Sequence, residues 1–278
     1  MFRRNDRLAG WLLAAAACTA LAMSALAGAG PALGGATWDG LKSEVVGTRT
    51  LQSGLGVINL TAPVRPEDQR AVPVAIEAHF ADGRTVKTVT LVVDENPMPV
   101  AAVFTMGPNQ RHVSLKTAIR LNQQTEIRAI VEASDGALYM TSQLVKFAGG
   151  QAACAAPPTG NPEQIAANMG KMSLAEVPSE GNATQIEHEM RLKISHPNHT
   201  GMAMDQQTLL YIPLRMISTL EVRQGGIKLF DMTGSITLAE NPYFEFPVSL
   251  TGEHQLNVVL KDSNGTQWDR TLPIRAGS

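Results

Sequence analysis

Cysteine is nearly absent from this chain. Two occur in 278 residues, Cys18 and Cys154, and Cys18 falls in an N-terminal stretch laid out like an export signal. With one thiol left, no internal disulfide is available. A lone cysteine in an oxidising compartment points to a mixed disulfide or a reactive thiol. The sequence has no C-x-x-C-H for haem, no G-x-S-x-G elbow and no H-E-x-x-H zinc helix. Basic charge is also scarce: 23 Lys and Arg face 25 Asp and Glu, a formal net charge of −2. A mildly acidic chain with no basic block is a poor match for nucleic acid or an anionic membrane surface. Beyond the N-terminus no apolar run is long enough to span a bilayer.

The N-terminus carries Arg3, Arg4 and Arg7, then an uncharged run from Leu8, then a small-x-small site at Ala25-Leu26-Ala27. Residues 1–27 therefore read as a secretory signal peptide, with an uncleaved membrane anchor as the alternative. The pair Arg3-Arg4 leaves both general secretion and the twin-arginine route open. Cys18 is not read as a lipid attachment site, because Ala15 stands where a larger aliphatic residue is expected. Cleavage after Ala27 leaves a soluble chain of net charge −4 with Cys154 as its one thiol.

From Thr37, the segment TWDGLKSEVVG puts Trp38, Leu41 and Val45 on one helical face, with Thr37 as N-cap of a short helix. Beyond Leu51 the texture is alternation. VINLTAP, VPVAIEAHF, VKTVTLVV, AAVFTM, EIRAIVEA and LYMTSQLVKF are short β-branched runs between Gly, Asp, Asn and Pro. Such runs predict an antiparallel sandwich, each burying one face against a second sheet. Ser134-Asp135-Gly136 supplies a hairpin turn. Residues 155–183 are rich in Pro and Gly around one short helical piece, and predict a surface linker. Alternation then resumes in QIEHEMRLKISH, LLYIPLRMISTLEVRQ, IKLFDMTGSITLA, YFEFPVSL, HQLNVVLKD and WDRTLPIRA. The fold class is all-β: two immunoglobulin-like β-sandwich domains joined by a Pro/Gly-rich linker with a short helix. The boundaries are 1–27 signal, 28–154 first sandwich, 155–183 linker and 184–278 second sandwich. The halves echo each other at Asp94-Glu95-Asn96-Pro97 and Glu240-Asn241-Pro242, and at IVEASDGALYM and VVLKDSNGTQW. A true repeat and shared sandwich punctuation both account for this. The acidic pair Asp94 and Glu95 reads as a strand-end turn, not a catalytic dyad.

Taken in order, these stretches resemble the sulfur-oxidation carrier pair SoxY and SoxZ fused in one chain. The SoxY-like stretches are INLTAP, Val72-Pro73-Val74, VVDENPMPVAAVF, VEASDG and VKFAGG with its following cysteine. The SoxZ-like stretches are SHPNHTGMAMD, LLYIPLRMISTLEV, LAENPYFEF and KDSNGTQW. The fused form resembles carriers associated with quinoprotein dehydrogenases. The resemblance implies a non-catalytic periplasmic protein, without a cofactor, that holds sulfur intermediates covalently on Cys154. Its partners are then sulfur-oxidation enzymes or a quinoprotein dehydrogenase system, and its two halves pack together within the chain. Gly149 and Gly150 match the start of the SoxY arm, and Ala152, Ala153, Ala155 and Ala156 stand where SoxY has glycines nearest its cysteine.

The residues themselves support that reading of "GGQAACAAPPTG". Gly and Ala give a tether without bulk, and nothing in the stretch is large enough to anchor it in a core, so the thiol is expected to be exposed. The alternative is a small buried cysteine at a strand end. No basic residue lies within seven positions of Cys154, so nothing local lowers its pKa below the free value of ~8.5. Two further functional readings stay open. His196, His199, Met202 and Met204 offer imidazole and thioether, a copper-favouring set, and a structural interaction module needs no chemistry at all.

Overall fold

The computed structural model describes residues 36–147, 149–177, 187–250 and 253–275. The expected signal peptide, 1–27, and the linker positions 178–183 lie outside the described residues. The first half contains helix α1 (Ala36–Val46) and strands β1 (Leu51–Ser53), β2 (Ile58–Thr61), β3 (Val72–His79), β4 (Val86–Val93), β5 (Val100–Met106), β6 (His112–Ile119), β7 (Thr125–Ala133) and β8 (Leu138–Val145). A single 3₁₀ turn (Ala153–Ala155) and helix α2 (Pro162–Asn168) follow. The second half contains β9 (Met172–Glu176), β10 (Glu187–Ile194), β11 (Ile217–Gln224), β12 (Ile227–Gly234), β13 (Tyr243–Ser249), β14 (Gln255–Asp262) and β15 (Gln267–Pro273). Alternation drives each strand: in β3, Val72, Val74, Ile76 and Ala78 are buried while Pro73, Glu77 and His79 are exposed. Among the described residues no helix is long and apolar enough to cross a bilayer.

The strands form two sheets that run through both halves. One has nine strands in the order β1-β8-β7-β4-β5-β12-β11-β14-β15, and the other has six, β2-β3-β6-β13-β10-β9. Reading outward from the middle, each half supplies the same seven-stranded unit: β2 to β8 correspond one by one to β9 to β15. The two units meet edge to edge, β5 pairing with β12 and β6 with β13, both antiparallel. Like strands meeting like at both seams is the pattern of a two-fold interface between equal subunits, here within one chain. The hairpin echo falls at equivalent places, the β7–β8 and β14–β15 turns. The Asn-Pro echo does not: one copy joins β4 to β5, the other β12 to β13.

The seam is closed by close backbone approach and aromatic packing. A Cβ on Gly107 would lie 1.9 Å from the Lys228 carbonyl oxygen, so only glycine lets β5 reach β12 there. Phe104 of the first half meets Phe230 and Phe244 of the second at centroid distances of 5.7 and 6.2 Å, edge to face. Such pairs contribute about 0.5–1.5 kcal/mol each beyond area burial. On the outer face Lys116 reaches across to Glu245 and Glu189 at 3.4 and 3.5 Å.

Several expectations change. β6 is a strand that the alternation reading passes over. The 155–183 segment is not only a linker: β9 lies in it and forms an edge of the six-stranded sheet, pairing with β10. Thr37 lies within α1, and its hydroxyl donates to Glu95 instead of capping the helix. Trp38 packs α1 onto the outer side of the nine-stranded sheet, against Val92, Ile130, Leu138 and Met140. Asp94 is a buried turn residue, holding Arg128 through Oδ1 and Oδ2 at 2.7–3.0 Å, and the guanidinium lies 4.7 Å from the Trp38 ring.

Candidate functional site around Cys154

After β8 the chain turns back along the end of the sandwich. Gly149 and Gly150 take φ of 94° and 99°, the left-handed region that glycine enters without strain. Nothing lies within 4 Å of where either Cβ would stand. Both are exposed, and Gln69 Nε2 donates to the Gly149 carbonyl at 3.2 Å. The next residues then dock. Ala153–Ala155 form one 3₁₀ turn, with Ala153 3 % exposed and Cys154 fully buried. The expected exposed thiol is therefore corrected: in this conformation the stretch packs. Small side chains admit it, because they let the backbone lie flat against the body, where polar groups from elsewhere satisfy it.

Those groups come from both halves. Ala153 N–H donates to the Leu121 carbonyl at 3.3 Å and Cys154 N–H to Asn122 Oδ1 at 2.9 Å. Thr200 Oγ1 donates to the Cys154 carbonyl at 2.5 Å. Asn122 is itself placed by the Asn-Pro turn: Asn96 Oδ1 accepts its N–H at 3.1 Å, and Asn96 Nδ2 donates to the Arg120 carbonyl at 2.7 Å. The motif that ends β4 thus fixes the bond that holds the cysteine.

Burial pushes the Cys154 thiol up to about 11, against an opposing pull from the Arg120 charge. Arg120 is 6 % exposed. It donates to the backbone carbonyls of Asn198, Ile236, Leu238 and Pro197, at 2.7, 3.1, 3.2 and 3.1 Å, all in the second half. Burial lowers its own pKa, opposed by Cys154 and Glu240. The fold therefore brings a cation to a cysteine whose sequence neighbourhood has none, yet desolvation wins and the buried thiol stays protonated. Arg120 and Asn122 escape the sequence reading because they follow β6, the strand it passes over. Beside the cysteine, Arg70, Arg120, Glu240 and His199 line a small cleft with Pro157 and Pro158. Beyond the cleft opens a groove of about 700 Å³ between α2 and residues 205–215.

That second wall is a hydrogen-bonded hairpin. Ile212 N–H donates to the Ala203 carbonyl and Asp205 N–H to that of Leu210, both at 2.9 Å. Asp205 Oδ1 closes the tip by accepting from Gln207 and Thr208 N–H. The hairpin leaves Leu209, Leu210 and Tyr211 about two-thirds exposed, at 67 %, 68 % and 65 %. The sequence run LLYIPLRM, expected as the start of a strand, is this hairpin arm; β11 begins only at Ile217.

The copper-favouring residues are dispersed in their bonding. His196 is buried, and its Nδ1 accepts from Asn198 N–H at 3.0 Å, so its proton resides on Nε2, 3.7 Å from Asp262 Oδ2. That separation exceeds a hydrogen bond, and burial lowers the imidazole pKa to about 4 despite the nearby carboxylate. His199 bridges through its backbone to Arg215, and Met204 to Tyr211. Met202 N–H donates to Thr200 Oγ1. Among the described residues, no group of three or more His, Cys, Asp or Glu side chains is placed to hold a metal.

Comparison with known proteins finds two family matches in succession along the chain. The family model described as sulfur oxidation protein SoxY matches residues 42–152, and that described as sulphur oxidation protein SoxZ matches 178–273. The first match stops two residues before Cys154. No curated protein matches the chain. Among solved structures, the sulfur carrier protein SoxY from Chlorobium limicola f thiosulfatophilum is similar at 23% identity. That match covers 41% of this chain and 97% of that one, with a TM-score of 0.33. A superoxide reductase (neelaredoxin) from Ignicoccus hospitalis is similar at 13% identity, covering 33% of this chain and 79% of that one, TM-score 0.27.

Proposed function

Because the chain joins a SoxY domain to a SoxZ domain and belongs to those sulfur-oxidation families, we propose that it is an exported sulfur carrier with Cys154 as its attachment point. The observation that carries this reading is the placement of Cys154, the one cysteine among the described residues. It follows directly on the SoxY domain, between two open glycines and a Pro-rich exit, and polar groups of both domains hold its backbone. In the docked turn the thiol is protonated and inert, so loading and unloading require the turn to lift and a thiolate to form in a partner's site. The protein supplies shelter and delivery, and the partner supplies the chemistry. That partner is a sulfur-oxidation enzyme or a quinoprotein dehydrogenase system, working in the periplasm.

Mass spectrometry of the protein purified from its native compartment tests this reading. The expected result is a persulfide or S-sulfonate adduct on Cys154 and a new N-terminus near Gly28. Unmodified Cys154 under sulfur-oxidising growth, or adducts that persist in Cys154→Ala, would refute it. The structural-module reading rests on the full burial of Cys154, and the same experiment separates the two.

A further inference from the structure

The sequence scatters its histidines, but the fold brings two of them face to face far from Cys154. His79 ends β3 and His112 begins β6, and they are direct partners in the antiparallel pairing. His79 N–H donates to the Val57 carbonyl at 3.0 Å, on the side away from β6. The histidines therefore form a non-hydrogen-bonded pair, the narrower site of an antiparallel ladder, where opposing side chains come closest. Their ring centroids are 6.4 Å apart with the planes at 59°. Both residues are exposed, and among the described residues neither imidazole has a hydrogen bond or ion pair.

The spacing suits a shared ion. A metal about 2.1 Å from a ring nitrogen lies about 3.2 Å from the ring centre, so two imidazoles on one ion have centres about 5 Å apart at a tetrahedral angle and at most about 6.4 Å apart. Exposed rings on a rigid ladder can close that difference by side-chain rotation alone. We propose that His79 and His112 form a two-imidazole site for a divalent late transition-metal ion, with water filling the remaining positions. Imidazole favours Zn²⁺, Ni²⁺ and Cu²⁺ over Mg²⁺ and Ca²⁺, and Cu²⁺ binds more tightly than Zn²⁺. Two protein ligands give a surface site of micromolar strength, not a closed structural one. The pair stands at the opposite end of β6 from Leu121 and Asn122, so an ion there does not reach the thiol. This inference does not depend on the carrier reading.

Calorimetric titration of the tag-free, chelator-treated protein with Zn²⁺ tests it, run on the wild type, His79→Ala, His112→Ala and Cys154→Ala. One equivalent should bind at micromolar concentration. Either histidine substitution should weaken binding at least ten-fold, and Cys154→Ala should retain it. Cu²⁺ titrated into Cys154→Ala should bind more tightly than Zn²⁺. Absence of saturable Zn²⁺ binding, binding that survives both histidine substitutions, or binding lost only in Cys154→Ala would overturn the assignment.

Discussion

Two side-chain hydrogen bonds hold the Cys154 backbone down, one from each half, and removing them should free the thiol. The perturbation is Asn122→Ala, which deletes the acceptor of Cys154 N–H, combined with Thr200→Val, which deletes the donor to its carbonyl. A net intramolecular hydrogen bond contributes about 1 kcal/mol, so each loss should shift the lifting equilibrium about five-fold, and both together about thirty-fold. Burial pushes the docked thiol up to about 11, so at pH 7.5 the docked form holds on the order of 100-fold less thiolate than a free one. Alkylation of native protein should therefore run almost wholly through the lifted form. The assay is the rate of iodoacetamide labelling at pH 7.5, measured beside the unfolding midpoint. Labelling should rise about five-fold in each single variant and about thirty-fold in the double, with Thr200→Ser close to wild type because it keeps the hydroxyl. A double variant that labels at the wild-type rate would refute the latch. So would acceleration that merely follows a falling midpoint, since that indicates a core cysteine reached by global unfolding.

Arg120→Met should destabilise the protein by about 3–5 kcal/mol, because it strips donors from buried carbonyls across the seam; the midpoint in thermal melts should fall by roughly 10 °C, and a loss under 1 kcal/mol would contradict that role. Burial lowers His196 to about 4 in the folded protein, against 6.5 for a free imidazole. The unfolded chain takes up the proton first, so this contribution is complete above pH 6.5 and is lost as pH falls towards 4, on the order of 3 kcal/mol. Denaturant titrations across that range should show a shallower acid slope in His196→Gln, and equal slopes would rule the histidine out. Proteolytic clipping between residues 178 and 186 should leave one peak on a sizing column, because the β5–β12 and β6–β13 pairings do not depend on that connection. Two separate monomers would show that the seam does not hold by itself.

Local chemistry determined a good deal. The alternation fixed strands and their buried faces, since period two is written residue by residue. Ser134-Asp135-Gly136 closes its hairpin with Gly136 at φ 86°, and Asn161-Pro162 starts α2, its side chain accepting from Glu163 N–H. The all-β class and two similar halves followed from order and composition. Tertiary structure decided what pairing and burial decide. β9 in a stretch rich in Pro and Gly is a strand because β10 offers it an edge, which its own composition does not announce. The seam depends on Gly107 and Phe104 meeting residues more than a hundred positions away. "AACAAPP" carries no anchor of its own, so the chain alone reads as a free arm. Asn122 and Thr200, brought to it by folding, supply the anchor, and the burial they impose sets the thiol's protonation.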